Sequence, residues 1–400
     1  MKIGVYLAGF TPDVGGGYTF QTDVFAAFVE MVGGRVEEFV ILCDSPVIFE
    51  LAQKSSLPTN CRAVQLPALR LSSKIARWLA LLVPQSRRFV AHWGRLQQVV
   101  TKERIEFLWY VGGGAQELVD LPYIATVWDI QHRTHPWLPE VSKKGLWESR
   151  EASHATYLAR ATYIITGTDT GMRELELYYR IPRERMRKLA HPTPAFALHG
   201  MQNKTPDIRS RYDLSDDFFI YPAQFWPHKN HVNLLYALAE LNRTYAYRPI
   251  LVLVGSDKGS KAFIQEQAAA LGVDMQLRFT GFISVDELVA LYREATGLVY
   301  ISMSGPENLP PLEAFALSCP ALVSDVPGAR EQFGDSAIFV PPFDPVAIAE
   351  GWHRLKSDIK LRDHLIAAGR QRAESWTAQN YVAGVFAIFD EFKPIRRCWV

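Results

Sequence analysis

The sequence predicts an α/β protein built from two doubly wound parallel-sheet domains. Three observations lead there. Short apolar, β-rich runs alternate with helix-period segments along nearly the whole chain, and that alternation occurs twice, on either side of a polar break. The chain also has the size for it: 400 residues, 48% hydrophobic and only 21% charged, are enough to bury two sizeable cores.

In the first half the strand-like runs are Ile3–Ala8, Phe39–Cys43, Phe107–Val111, Ile124–Val127 and Tyr163–Thr166. The second half repeats the theme with Phe218–Tyr221, Ile250–Val254, Leu277–Thr280, Leu298–Ile301, Ala321–Ser324 and Ile338–Val340, each followed by a turn or cap signal. Between the halves, His199 to Ser215 carries Gly200, Asn203, Pro206 and Asp207, which break periodicity and mark a linker. The expected domains are therefore 1–200 and 201–378. A last helix, roughly Gln379 to Phe392 within 379–400, has no strand partner and is expected to pack back on the first domain. In doubly wound sheets ligands bind at the carboxyl ends of the strands, so the cleft between the domains is the default site.

Composition excludes several classes. A formal net charge of +1 gives no electrostatic reason to expect a nucleic-acid partner. Cys43, Cys61, Cys319 and Cys398 are far apart and form no C-x-x-C pair, so neither a zinc site nor a disulfide framework is expected, and a reducing cytoplasm fits best. The amino terminus enters a strand-like run without a basic region or a long apolar core, so no signal peptide is expected. The apolar stretch Trp78–Val83 is far short of a transmembrane helix.

Three segments carry chemistry. Ser304-Gly305-Pro306-Glu307-Asn308-Leu309-Pro310-Pro311-Leu312-Glu313 joins the strand-like run ending at Ile301 to a helix that the two prolines can open. Free amides at a helix start attract anions, and Glu313, expected in the first turn, has a carboxylate suited to a ribose diol. The competing reading is a plain strand–loop–helix link. Tyr221-Pro222-Ala223-Gln224-Phe225-Trp226-Pro227-His228-Lys229-Asn230-His231 follows the first strand of the second half. Asn230 is expected to cap the next helix, with the Lys229 ammonium at its mouth suited to a phosphate. His228 and His231 lack a carboxylate or cysteine to complete a metal set. Gly15-Gly16-Gly17 follows the first strand and precedes a helix expected to begin near Phe20, which lets the backbone approach an anion closely. Phe20 stands where the dinucleotide pattern G-x-G-x-x-G needs its last glycine, so NAD binding is disfavoured. The second triplet, Gly112-Gly113-Gly114, reads as a tight turn.

The pairing of Pro-His-Lys-Asn-His with Leu-Pro-Pro-Leu-Glu-Ala resembles the retaining nucleotide-sugar glycosyltransferases of family four, in the branch with the motif G-P-x-N-x-P-P-L-E-A. The likeness extends over most of the chain and is strongest from Tyr221 to Pro341. It implies the GT-B fold, two Rossmann-like domains facing a central cleft. It also implies transfer of a hexose, of mannose or rhamnose type, from a nucleotide-diphosphate sugar to a glycan or lipid-linked acceptor in bacterial surface polysaccharide synthesis. By this resemblance Lys229 holds the donor diphosphate, Glu313 holds the ribose, and Gly16 and Gly17 approach the phosphates. Val323–Gly328 is similar to the segment that follows the second motif in the family.

Two departures stand out. Where the family commonly has a glutamate eight positions before the ribose-binding one, this chain has Gly305, and where it has an arginine five before the lysine, this chain has Gln224. Glu307 is then expected to turn toward the sugar, and the Asn308 and Leu309 amides to face hydroxyls and phosphate. Trp128 sits where many relatives carry a histidine near the donor sugar, so Asp129 or His132 is expected to take that polar role. The expected catalytic set is Lys229, Glu307, Asp129 and His132, beside Gly16, Gly17, Gln224, Lys229, Asn308, Leu309 and Glu313 on the donor. No cofactor and no metal are expected, since the chain has no Asp-x-Asp triplet and the resembling family is metal-free.

Positive groups aimed at the leaving diphosphate lower the barrier, and in the resembling family the diphosphate takes the acceptor proton, so no paired carboxylates of the glycosidase kind are needed. Two other readings stay open: a nucleotide-sugar epimerase of the same fold, and a subunit that binds sugar nucleotide or glycan without turnover. Between Arg70 and Arg95, Lys74, Arg77, Arg87 and Arg88 mix with Trp78, Leu79, Phe89 and Trp93. This stretch is read either as a peripheral contact with anionic lipid at the inner membrane face or as an amphipathic helix pair whose apolar side is core.

Overall fold

The computed structural model describes residues 1–68, 94–113, 117–200, 206–305 and 307–398. Among these residues two wholly parallel sheets form. The first holds β1 (Lys2–Leu7), β2 (Glu38–Cys43), β3 (Cys61–Gln65), β4 (Phe107–Tyr110), β5 (Tyr123–Thr126), β6 (Tyr163–Thr166) and β7 (Met186–Lys188), in the order β3-β2-β1-β4-β5-β6-β7. The second holds β8 (Phe218–Pro222), β9 (Ile250–Val254), β10 (Leu277–Gly281), β11 (Gly297–Tyr300), β12 (Ala321–Ser324) and β13 (Ala337–Val340), in the order β10-β9-β8-β11-β12-β13. Both follow one plan: the third, second and first strands run one way from the centre and the rest run the other.

Strand alternation divides the first-domain core into two layers. Ile3, Val5, Phe39, Ile41, Phe107 and Trp109 face the layer that holds the helix Gly16–Val32. Val40, Leu42, Leu108, Tyr110 and Tyr123 face the other, against the helix Leu146–Arg160. In the second domain one continuous core covers both faces, with Trp352 and Tyr292 fully buried.

The helix Ala378–Arg396 lies on the first domain, although the chain has by then completed the second sheet. Its buried stripe of Tyr381, Val382, Val385, Phe386, Phe389 and Phe392 has the three- and four-residue spacing of one helix face. Phe392 stacks on Phe107 with ring centroids 4.2 Å apart, and Phe386 meets Phe28 edge-on at 6.0 Å. Each such pair contributes about 0.5–1.5 kcal/mol beyond its buried area. Trp376 prepares the crossing by donating from Nε1 to the Ala190 carbonyl at 2.8 Å.

Candidate active site

The strand order reverses between β1 and β4 and again between β8 and β11, and the loops leaving those strands diverge, which opens a crevice at each sheet's carboxyl edge. The two motif segments leave β8 and β11, so they flank the crevice of the second sheet. The glycine triplet leaves β1 and flanks that of the first.

Lys229 ends the short 3-10 turn Pro227–Lys229. Its Nζ donates to the Tyr300 hydroxyl at 2.8 Å and lies 5.4 Å from the centre of that ring, and the hydroxyl in turn donates to Asn308 Oδ1 at 3.1 Å. The lysine is thus aimed along the crevice rather than loose in solvent. Asn230 does not cap the helix His231–Tyr245 with its side chain as expected. It adopts a left-handed conformation and sends Nδ2 to the carbonyls of Ile301 and Pro342, at 3.0 and 2.6 Å, which ties the first motif to the loops after β11 and β13. The two histidines make no metal pair. His228 gives its main-chain N–H and Nδ1 to Glu140 Oε1 across the cleft, at 2.9 and 2.6 Å, while His231 is buried against Phe225 and Tyr221. Burial, then the charges of Lys229 and His228, hold the His231 imidazole down to about 3, so it stays neutral. Among the described residues, no three His, Cys, Asp or Glu side chains gather as a metal site.

The helix Leu309–Ala316 opens with Asn308 at its cap position and Pro310 and Pro311 in its first turn. Glu313 is its fifth residue and stands in the second turn, one turn deeper than expected, where the end charge of the helix is weaker. The Tyr292 hydroxyl donates to Glu313 Oε2 at 2.7 Å and fixes the carboxyl. Burial pushes this carboxyl up to about 7 against that hydrogen bond, with the charge of Asp23 adding to the rise. The Asn308 amide is not open to a ligand as expected: it donates to Gln332 Oε1 at 2.8 Å, and Gln332 Nε2 returns a bond to the Asn308 carbonyl at 3.0 Å. Since proline carries no N–H, the first turn of this helix leaves Leu309 as its free main-chain donor.

The helix after β1 begins at Gly16, with Gly15 as its cap, four residues earlier than expected. Gly16 and Gly17 therefore occupy the first turn, and their N–H groups have no intrahelical partner. A Cβ on Gly16 would lie 3.3 Å from Leu309 Cδ1, so the two helix starts face each other across the cleft. Gln224 ties the first motif to the loop before the glycine helix, donating from Nε2 to the Asp13 carbonyl at 2.7 Å and accepting from Trp226 Nε1 at 2.9 Å.

The place of the missing family acid explains itself. Gly305 has φ +116°, a conformation that side-chain-bearing residues rarely adopt. Glu307 does not stand open toward the cleft as expected. Its side chain, 2% exposed, crosses to the first domain and accepts from the His191 main-chain N–H at 2.5 Å. Burial, with a contribution from Glu331, pushes this carboxyl up to about 8. Beside it, Trp128 Nε1 and both ring nitrogens of His191 are buried without a hydrogen-bond partner, and Phe20 packs on both rings.

Asp129 remains partly exposed but is engaged: its Oδ1 accepts from Arg150 Nη2 at 3.0 Å and from the Gln131 N–H at 2.9 Å. His132 is fully buried in the first domain, where Nε2 meets the Tyr179 hydroxyl at 2.9 Å and Glu151 at 3.2 Å. It does not face the cleft, and burial, then the His154 and Arg150 charges, hold it down to about 4. The basic and aromatic stretch 70–95 lies outside the described residues except for its end. There Arg95 is committed to Glu117, at 2.7 Å, and to Asp44. No helix among the described residues is long and apolar enough to cross a membrane.

Sequence reasoning missed Tyr300, Tyr292, Glu140, Gly167, His191 and Glu331. Tyr300 had a usable signal, since it ends the strand that enters the second motif. The others meet their partners only through the fold.

Residues 205–372 match the model of the family described as glycosyl transferases group 1. The O-antigen chain mannosyltransferase RfbU of Salmonella typhimurium is 26% identical over 147 residues, 37% of this chain and 40% of that relative. The chain spans 40%, 56%, 66% and 53% of the lengths of the first four curated relatives it matches. Among solved structures, WaaG, a glycosyltransferase involved in lipopolysaccharide biosynthesis, superposes with a TM-score of 0.66 at 17% identity, covering 96% of this chain and 98% of its own. HepE of Anabaena in complex with UDP-glucose gives 0.68 at 14%, covering 98% and 100%. The fold is GT-B: two parallel-sheet α/β domains with glycosyltransferases as structural neighbours.

Proposed function

We propose that this chain is a retaining, metal-independent glycosyltransferase that moves a hexose, of mannose or rhamnose type, from a nucleotide-diphosphate sugar to a glycan or lipid-linked acceptor of a bacterial surface polysaccharide. The observation that carries this reading is the meeting of three groups at facing helix starts: the Lys229 ammonium, the Glu313 carboxyl held by Tyr292, and the Gly16 and Gly17 amides. Lys229 and the glycine amides take the diphosphate, and their positive character stabilises the charge it gains as the glycosidic bond breaks. Glu313 takes the ribose hydroxyls. Trp128 Nε1 and His191 Nε2, buried without a hydrogen-bond partner, suit the hydroxyls of the transferred sugar, because buried polar groups are seldom left unbonded, while His191 Nδ1 lies 3.6 Å from Glu307 Oε2. The acceptor oxygen attacks from the face the diphosphate leaves, and a diphosphate oxygen takes its proton. The mannosyltransferase and lipopolysaccharide relatives support the choice of sugar and acceptor class, and their transferase names favour transfer over epimerisation. The test supplies GDP- and dTDP-hexoses with a lipid-linked oligosaccharide in the presence of EDTA and follows the product by NMR. Release of nucleoside diphosphate with the donor's anomeric configuration kept supports the proposal. An inverted product refutes retention, and isomerised donor without acceptor returns the epimerase.

A further inference from the structure

We infer that Glu307 and Glu331 of the second domain form a two-pronged clasp on the turn after β6, and that this clasp positions the amino end of the helix Leu309–Ala316 when the domains meet. The first prong is Glu331, which caps a helix belonging to the other domain. Its carboxylate accepts from the Asp169 N–H at 2.6 Å, from the Thr170 N–H at 3.1 Å and from the Thr170 hydroxyl at 2.8 Å. Thr168 Oγ1 takes the next amide, that of Gly171, at 3.0 Å. All three amides that open the helix Asp169–Tyr179 are thereby satisfied, two of them from across the cleft, and the helix end favours the negative charge.

The second prong is Glu307. It fills space left by Gly167, where an added Cβ would fall 1.7 Å from Glu307 Oε2, and it accepts the His191 N–H. Glycine is needed there for close approach, not for an unusual backbone angle.

The prongs are braced to each other. The reciprocal bonds between Gln332 and the Asn308 main chain lock the residue after one prong to the residue after the other. Arg372 holds the carbonyls of Glu331 and Gln332 at 2.6 and 2.7 Å, so the short helix Ala329–Phe333 cannot shift alone. Asn308 is also the cap residue of the helix Leu309–Ala316 and takes the Tyr300 hydroxyl, which takes Lys229. A continuous set of bonds therefore runs from Gly167–Thr170 in the first domain to the lysine and the helix start in the second. Glu307 and Glu331 act as positioning residues, and the device is independent of which donor the cleft takes.

Amide hydrogen exchange on the protein without ligand tests this, comparing wild type with Glu331→Ala, Glu331→Gln and Gly167→Ala. Peptides covering 167–172 and 305–312 report the two sides, one covering 297–300 reports integrity of the second sheet, and X-ray scattering reports the separation of the domains. Glu331→Ala is expected to speed exchange about tenfold at 167–172, the size of a lost helix cap, and also severalfold at 305–312, with a larger radius of gyration and 297–300 unchanged. Glu331→Gln, which keeps an acceptor oxygen without the charge, falls between. Gly167→Ala, which evicts Glu307, loosens both sides. Faster exchange at 167–172 alone, with 305–312 at wild-type rates in Glu331→Ala, overturns the inference. Should Gly167→Ala fail to fold, the two Glu331 variants decide. Because no step depends on activity, failure here leaves the proposed reaction where it stood.

Discussion

The loop after β1 and the loop after β11 occupy equivalent places, each leading from a central strand into a helix beside the crevice of its own sheet, yet they offer a ligand opposite things. The glycine loop presents main chain. Gly16 and Gly17 open their helix with unpartnered amides and no side chains in the way. The proline loop presents side chain. Pro310 and Pro311 have no N–H and the Asn308 amide is held by Gln332, so Leu309 keeps the free amide of this first turn, and the main polar offering is a carboxyl one turn further in, fixed by a tyrosine. A helix start is therefore not an anion site merely by being a helix start, since its amides must be free. Under the proposed function this division matches a donor with two different ends, diphosphate against the glycines and Lys229 and ribose against Glu313.

The largest expected effect concerns the one formal positive charge in this division. Lys229→Ala should lower kcat/KM for transfer by a factor of about 10²–10³, the usual loss for a group that stabilises charge in a transition state, with little change in Tm. Unaltered transfer at saturating donor would remove the lysine from the diphosphate. Next comes Glu313→Gln, expected to weaken nucleotide binding by about 1.5–3 kcal/mol through loss of a charged acceptor. Because burial holds Glu313 up at about 7, wild-type affinity should also rise with pH from 6 to 8, and calorimetry on Glu313→Gln should lose that slope. Smaller still is the glycine loop. Gly16→Pro deletes an amide at a helix position that tolerates proline, whereas Gly16→Ala keeps the amide and makes a similar contact with Leu309. The proline variant should bind nucleotide about 0.5–1.5 kcal/mol more weakly than the alanine variant, and equal affinities would break the contrast between the loops.

The last effect is on stability alone. Glu307 is raised from its ordinary 4.5 to about 8, so the folded protein binds its proton more tightly than the unfolded chain does. That contribution is complete below about pH 4.5 and is lost as pH rises toward 8. Glu307→Gln should flatten the fall in Tm between pH 5 and 8, and an identical slope in the variant would show that this carboxyl is not the cause.

The central strands were legible because burial on both faces leaves continuous apolar runs such as Ile250–Val254. The edge strands β3 and β7, Cys-Arg-Ala-Val-Gln and Met-Arg-Lys, were not, since an edge is half-covered and its polar residues look like loop. In the site, the motif residues were legible as types but not in their engagements. Nothing near Glu307 in sequence announces Gly167, and the separation of 140 residues is closed only by the meeting of two domains. His132 shows the reverse: a histidine beside a motif position proved to be interior, because Tyr179 and Glu151 lie on helices whose packing the local sequence does not reveal.

The central claim, that this cleft holds a sugar nucleotide by its diphosphate and its ribose, is tested most directly by thermal shift with GDP-, UDP-, ADP- and dTDP-sugars on the wild type, Lys229→Ala and Glu313→Gln. The account predicts that donors of one base raise the wild-type Tm and that the rise shrinks in both variants. If none of the four classes raises it, or if the rise persists undiminished in both variants, the account is contradicted.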